Sequence, residues 1–407
     1  MLRSLILALL LLASIAVADD VKSEFGGHTK FRLVGRSFPD NSLFKDQVGS
    51  EALDTTAALR LNLKLTSGHW TFDSAYQLAG LQGDSFRLGG GLPSDDRRLF
   101  DFSDVISEGS DSAIVHRLDR FWVGFASEKT VVRLGRQALS WGNGLAYAPM
   151  DLVNPFNPAS IDTEYKAGDD MLYLQYLQDN GNDVQAAYVA RRNLASGDVE
   201  ADEATAAVKY HGFAGEGEFD LLLARGYGDT VLGVGMSHAI GGAVWSADLV
   251  VTDTDADTYA QFVTNLMYSW VWKDTNMSGG FEYYFNGFGQ TGSRYDPASM
   301  AASPDLLARL LRGELFTAGR HYLAANVTME LTPLWTLTPT LLVNAADPSS
   351  LFQLVTNYSL SDNMTFLASL NVPLGASGSE FGGIETGAPD RYLSTDAGLF
   401  AQIAWYF

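Results

Sequence analysis

The sequence predicts an all-β fold, a transmembrane antiparallel β-barrel of about 18 strands with long extracellular loops and short periplasmic turns. Three observations carry that reading. Segments of period-two alternation recur along the whole chain, as in Leu59-Arg60-Leu61-Asn62-Leu63-Lys64-Leu65, which sends every Leu one way and every polar residue the other. Charged residues make up only 18% and aromatics 12% of a chain with 40 glycines, yet the mature part has no apolar run long enough for a membrane helix. The last segment, Leu399 to Phe407, alternates strictly and ends on an aromatic, the type of terminal strand that outer-membrane assembly machinery reads.

The N-terminus is read as a leader. Met1-Leu2-Arg3 is basic, Leu5 to Leu12 is almost wholly aliphatic, and Ala16-Val17-Ala18 fits a small-residue cleavage site before Asp19. The expectation is a signal peptide over 1–18 and a barrel over 19–407, with no plug domain ahead of the first strand. There is no Cys, which excludes lipoprotein attachment, disulfides and thiol chemistry.

Strand candidates begin near Phe31, Leu59, Trp70, Val115, Val131, Leu172, Val184, Ala206, Phe219, Leu232, Trp245, Phe262, Phe281, Leu323, Leu337, Phe352, Phe366 and Leu399. Tight connections such as Ala214-Gly215-Glu216, Gly241-Gly242 and Lys273-Asp274-Thr275 are built of turn residues. Longer links lie near 38–51, 82–112, 138–168, 193–203, 289–318 and 374–392. With the first strand running outward, Trp70, Trp245, Trp270, Trp272, Trp335 and Trp405 all fall on the periplasmic rim, as an interfacial girdle requires. One stretch breaks the pattern. Ser303 to Gly313 has Pro304 at a first helical position and apolar residues at helical spacing, and is read as a short helix packed in an external loop.

Net charge is −21, and the loop from Gln82 to Ser112 holds Asp84, Asp95, Asp96, Asp101, Asp104, Glu108 and Asp111. These acids are expected to be solvated outside, or to meet divalent ions shared with lipopolysaccharide. Asp253-Thr254-Asp255-Ala256-Asp257 is no EF-hand, because Thr258 and Thr264 stand where Gly and Glu are needed. No metal site, cofactor or nucleic-acid partner is expected. The lumen reads differently. Alternation turns inward Lys30, Arg32, Arg36, Arg60, Lys64, Arg120, Arg133, Arg191 and Lys209, against the fewer acids Asp73, Asp220, Asp248, Glu282 and Glu330. Rings of Arg and Lys in a wet pore favour anions.

The densest constellation runs from Arg133 through Arg136, Trp141 and Gly142 to Asp151, Asn154, Glu164 and Lys166. A link carrying Trp and paired Asn-Pro steps is expected to fold inward and set the constriction, with Arg136, Trp141, Asp151, Asn154, Glu164 and Lys166 at its narrowest point. Here the chain resembles a family. Gly135-Arg136-Gln137, then Trp141-Gly142, then Asp151-Leu152-Val153-Asn154-Pro155-Phe156-Asn157-Pro158, is similar to alginate-export-type porins and related outer-membrane proteins. The resemblance covers about a tenth of the chain. It implies an eighteen-stranded barrel, an Arg-rich lumen and passage of an anionic solute or polysaccharide, with Arg133 and Arg136 touching the solute.

Catalysis is the other class considered. His28, His69, His116, His211, His238 and His321 sit in no zinc-protease, nucleophile-elbow or phosphate-loop pattern. The expected function is therefore a passive, porin-like channel in the bacterial outer membrane for a small or oligomeric anion, and not an enzyme. Its expected partners are lipid, lipopolysaccharide and, through Phe407, the assembly machinery. The alternatives are a non-conducting binding or assembly barrel and, further off, an outer-membrane hydrolase.

Overall fold

The computed structural model describes residues 21–89 and 92–407, so the leader read over 1–18 lies outside the described residues. The strands are β1 (Lys22–Ser37), β2 (Glu51–Ser67), β3 (Trp70–Gly83), β4 (Ser103–Glu108), β5 (Ser112–Ala126), β6 (Thr130–Gln137) and β7 (Asp169–Leu177). They continue as β8 (Asp183–Val189), β9 (Thr205–Ala214), β10 (Gly217–Gly226), β11 (Asp229–Ile240), β12 (Ala243–Asp253), β13 (Thr258–Trp272) and β14 (Thr275–Asn286). The last are β15 (His321–Thr332), β16 (Trp335–Asn344), β17 (Ser349–Ser361), β18 (Met364–Leu374), β19 (Ile384–Glu385), β20 (Tyr392–Leu393) and β21 (Gly398–Tyr406). Helices α1 (Leu43–Val48), α2 (Pro297–Ala301) and α3 (Pro304–Arg312) lie in connections.

Nineteen strands share one antiparallel sheet, and all of them but β4 close into a ring of eighteen. Closure is made by β1, which pairs with β2 on one side and β21 on the other. Phe407 completes the seam: its N–H donates to the Gly27 carbonyl at 3.0 Å, and its own carbonyl accepts from the Gly27 N–H at 2.9 Å. A closed ring leaves no strand edge facing lipid, where each unpaired backbone group costs several kcal/mol. Gly27 is required there, since a Cβ would stand 2.2 Å from the Arg60 carbonyl and 3.0 Å from the Phe407 ring. The first strand therefore begins at Lys22, earlier than the alternation starting at Phe31 implied, because Gly26 and Gly27 dilute the apolar pattern.

The short β4 is an extra wall piece. It pairs with Ala113–Arg117 of β5, above the point where β6 runs out, because β6 covers only Phe121–Ala126 of that strand. The two-residue ladder of β19 with β20 stands apart from the barrel.

The outward face is apolar, with Phe31, Leu134, Leu223, Val271, Phe281 and Ile403 all exposed. Trp70, Trp245, Trp270, Trp272, Trp335 and Trp405 lie at strand ends on the rim of tight connections that includes 68–69, 241–242, 273–274 and 333–334. At the opposite rim, connections 227–228, 254–257 and 345–348 are short, while 38–50, 84–111, 138–168, 190–204, 287–320 and 375–397 are long. The helix read over 303–313 is α3, opened by Pro304 and closed by Gly313 at φ 71°. Its buried Leu306 packs with Phe288 and Leu315.

The inner face departs from simple polar alternation. Met171, Tyr173, Ala187, Leu222, Val231 and Val250 form a buried apolar cluster inside the wall, completed by Trp141, Met150 and Val153 of connection 138–168. These lumenal positions are apolar because chain, not water, covers them.

Candidate functional site

Connection 138–168 folds into the barrel and follows the inner wall round in strand order. Trp141 Nε1 donates to Gln185 Oε1 of β8 at 2.7 Å. The Asn143 backbone N–H and its Nδ2 both donate to Asp248 of β12 at 2.7 Å, and the Asn143 carbonyl accepts from Asn265 Nδ2 of β13 at 2.8 Å. Glu282 of β14 then accepts the three successive N–H groups of Leu145, Ala146 and Tyr147. Tyr147 stacks on Tyr284, with ring centroids 4.7 Å apart, and tilts against Tyr322 of β15.

Farther round, the Ala159 carbonyl accepts from Gln353 Nε2 of β17 at 3.0 Å. Asp162 accepts from Lys30 and Arg32 of β1, both at 2.8 Å, and from Gln402 of β21 at 3.1 Å. Glu164 meets Lys30 at 2.7 Å and accepts from Tyr406 Oη at 2.9 Å. Tyr165 stacks on His28, and the Arg60 guanidinium of β2 lies 4.2 Å over its ring. Arg120 of β5 donates to the Lys166 carbonyl at 2.5 Å, bringing the chain back to its start.

The sequence explains why this stretch can run inside. An irregular segment has unpaired N–H groups that must find acceptors once water is excluded. The inward Asp248 and Glu282 supply them as carboxylates, which make the stronger class of hydrogen bond. The Trp141-Gly142-Asn143-Gly144 turn depends on its glycines. Gly142 sits at φ 97° with Asp248 and Met150 against it, and a Cβ on Gly144 would lie 1.8 Å from the Tyr147 carbonyl. Asn154 holds φ 51°, a left-handed conformation that Asn tolerates better than most residues.

The residues singled out in the sequence fall into two groups. Arg136 is 1% exposed, locked between Asp95 and Asp170 with its guanidinium over Phe102. Arg191 is buried on Asp169 and Thr205, Trp141 in the apolar cluster, and Lys166 on both oxygens of Asp151 at 2.6 Å. Lys30 and Arg60 are likewise buried in ion pairs, and Arg120 bridges Asp119 to the loop. The side chains of Arg32, Arg36 and Lys64 stay 35%, 39% and 46% exposed beside Asp162, Asp54 and Glu24. Half-buried Arg133 has aromatic partners, the rings of Trp122 and Tyr173.

Burial raises Asp151 to about 6 even with Lys166 beside it, and the same burial lowers Lys166. Asp162 behaves oppositely: burial pushes it up, but the bonds from Lys30 and Gln402 prevail and hold it below the usual carboxylate range. Asp95, expected in the solvated acidic loop, is instead buried. Its bonds to Arg136 and Arg98 outweigh burial and lower it too.

Several lumenal residues escaped the sequence reading. Arg117, Asp119, Gln77 and Gln402 line a cavity of about 350 Å³ with Lys30, Arg32, Arg60 and Asp162. A bulge hid the first two. Ala75 faces Arg120 while Tyr76 faces Leu118, so Asp119 is an extra residue and the side-chain alternation of β5 shifts across it. Asp162 lies in a loop without periodicity, and its only signal was an acid inside a link otherwise read as inward.

Solved structures share this fold. OccAB3 of Acinetobacter baumannii matches with a TM-score of 0.56 at 7% identity, over 95% of this chain and 99% of its own. OccAB4 of the same organism matches at 0.55 and 10% identity, over 96% and 99%. OccK7 (OpdD) of Pseudomonas aeruginosa matches at 0.50 and 8%, also over 96% and 99%. No protein-family model matches the sequence, and no curated protein matches it. At these identities the likeness is one of fold. A closed eighteen-strand barrel with an apolar outer wall is the architecture of porin-type bacterial outer-membrane proteins, and this chain is built as one.

Proposed function

We propose that the protein is a passive channel of the outer membrane for a small or oligomeric anionic solute, with loop 138–168 setting the narrow part of its lumen. The observation that carries this reading is the circuit of that loop round the inner wall, anchored in turn on Gln185, Asp248, Glu282, Gln353 and Arg32. A loop so placed narrows a barrel without opening or closing it. Among the inward bases Arg32, Arg36, Lys64, Arg117 and Arg133 keep part of their side chains open, and they support an anion preference. The Gly-Arg-Gln, Trp-Gly and Asp-Leu-x-Asn-Pro stretch adds support for a link to alginate-export-type porins.

Purified protein in planar bilayers tests the reading. Stepwise conductance with a reversal potential on the anion side in asymmetric potassium chloride is the expected result. Absence of conductance would favour a binding or assembly barrel, and a cation-side potential would remove the anion preference. Block by an oligouronate, set against a neutral oligosaccharide of equal length, tests the polymeric solute.

A further inference from the structure

Charge is unevenly balanced inside this barrel. Away from the β1–β5 side the buried bases of the loop and its neighbouring strands each meet an acid: Arg136 lies between Asp95 and Asp170, Arg191 on Asp169, and Lys166 on Asp151, while Arg133 lies against aromatic rings. The quadrant formed by β1, β2, β3 and β5 is different. Asp119 is shared by Arg60 at 2.7 Å, Arg120 at 3.0 Å and Arg117 at 3.5 Å. Asp162 is shared by Lys30 and Arg32, and Glu164 also leans on Lys30. The cavity in this quadrant is lined by four bases, Lys30, Arg32, Arg60 and Arg117, against two acids, Asp119 and Asp162, and the buried Lys30 and Arg60 match those two in charge. Arg32 and Arg117 are left over.

Those two arginines are held alike. Arg32 Nε and Nη2 donate to Gln402 Oε1 at 3.0 Å and 2.8 Å, and Nη2 also donates to Asp162 at 2.8 Å. Arg117 Nε donates to Gln77 Oε1 at 3.0 Å, and its Nη2 reaches Asp119. In each, a glutamine and an aspartate fix one edge of the guanidinium. Among the described residues Nη1 of neither has a hydrogen-bond partner, and the two side chains remain 35% and 26% exposed. Both line the cavity of about 350 Å³, together with the apolar Ala58, Ala79, Leu81 and Val115. With Nε and Nη2 engaged, each guanidinium is held in place and presents the two N–H donors of Nη1, which suit the oxygens of a flat or tetrahedral oxyanion better than a spherical ion.

We propose that Arg32 and Arg117 form a two-point site that holds a small oxyanion in transit, a carboxylate, phosphate or sulfate group on a compact solute. This rests on the channel reading above. The buried pairs Arg60–Asp119 and Lys30–Asp162 act as positioning groups, keeping the two aspartates from cancelling the arginines they orient.

The test uses the full chain in planar bilayers, with acetate, inorganic phosphate and sulfate added separately to chloride. Saturable reduction of chloride current by at least one of the three is expected, and the three arms identify the oxyanion geometry preferred. Arg32→Gln and Arg117→Gln should each raise the half-blocking concentration by about tenfold, the value of one charge-assisted bond. Arg294→Gln, which removes an exposed loop base, should leave it unchanged. Because the chain has no Cys, Ala79→Cys gives a single reactive site in the cavity. A negatively charged thiosulfonate should close that variant, and the blocking oxyanion should slow the closure. If the unaltered protein conducts and prefers anions, but none of the oxyanions blocks, or neither arginine matters, or oxyanion gives Ala79→Cys no protection, the site is refuted while the channel stands. No conductance at all refutes the channel reading itself, and this inference with it.

Discussion

Arg133 and Arg136 belong to one strand and to one motif, yet the fold gives them different work. Arg136 is enclosed by two carboxylates and the carbonyls of Leu118 and Phe100. Replacing it with Ala leaves Asp170 buried without a counter-charge and Asp95 with Arg98 alone, a loss of about 3–5 kcal/mol for a broken buried pair. Arg136→Ala should therefore lower the unfolding midpoint in urea-containing detergent and leave the reversal potential of the surviving folded fraction where it was. Arg133→Ala should do the reverse, moving the reversal potential toward cations with little change in midpoint, since its partners are two aromatic faces. Equal effects of the two replacements would contradict the assignment.

Loop 138–168 is an irregular segment bonded to the wall at many points, and Glu282 holds three of its successive N–H groups. Glu282→Ala strips acceptors from the N–H groups of Leu145, Ala146 and Tyr147, each bond to a carboxylate being worth about 1.5–3 kcal/mol. The expected result is faster proteolysis inside 138–168 and noisier, larger single-channel currents. Quiet currents of unchanged size would show that the loop is held well enough without it. Connection 375–397 carries a clasp of its own. Glu380 accepts from the Ala318 N–H, Tyr322 Oη and Asn344 Nδ2, and its backbone N–H donates to Asp347. Burial raises Glu380 from 4.5 to about 7 against the pull of those donors.

The direction of the pH effect follows from that rise. Between 4.5 and about 7 the closed clasp binds a proton that a free glutamate lacks, so its stability is complete below 4.5 and declines until pH passes 7. Amide exchange in 375–397 should accelerate by about tenfold or more from pH 5 to pH 8, beyond the intrinsic pH effect on exchange. Glu380→Gln should abolish that extra acceleration, and its persistence in the variant would clear Glu380 of the role.

The barrel as a whole is closed by its two ends and seated by its aromatic rim. Deleting Phe407 removes both hydrogen bonds to Gly27 and the ring packed there, so folding into lipid vesicles should slow and the heat-resistant compact band on mild gels should weaken. The six rim tryptophans make a second test. Spin-labelled lipids with the label near the headgroup should quench their emission more than lipids labelled at mid-chain. Stronger mid-chain quenching would place that rim at the wrong depth.

How much of this could be read from the chain alone follows from the range of the forces involved. Strand count, the outward Leu positions, the tryptophan rim, α3 and an inward link at 138–168 all rest on local periodicity or turn chemistry, which neighbouring residues impose on one another. The state of each lumenal charge does not. Whether Arg136 is sealed and Arg117 open depends on Asp95, Asp119, Asp170 and Gln77, brought from separate strands and loops, and on one extra residue at Asp119 that reverses the facing of β5. Alternation names which side chains point inward. Coulomb pairing and exclusion of water between distant segments settle which of them remain free, and those arise only when the ring has closed around its loop.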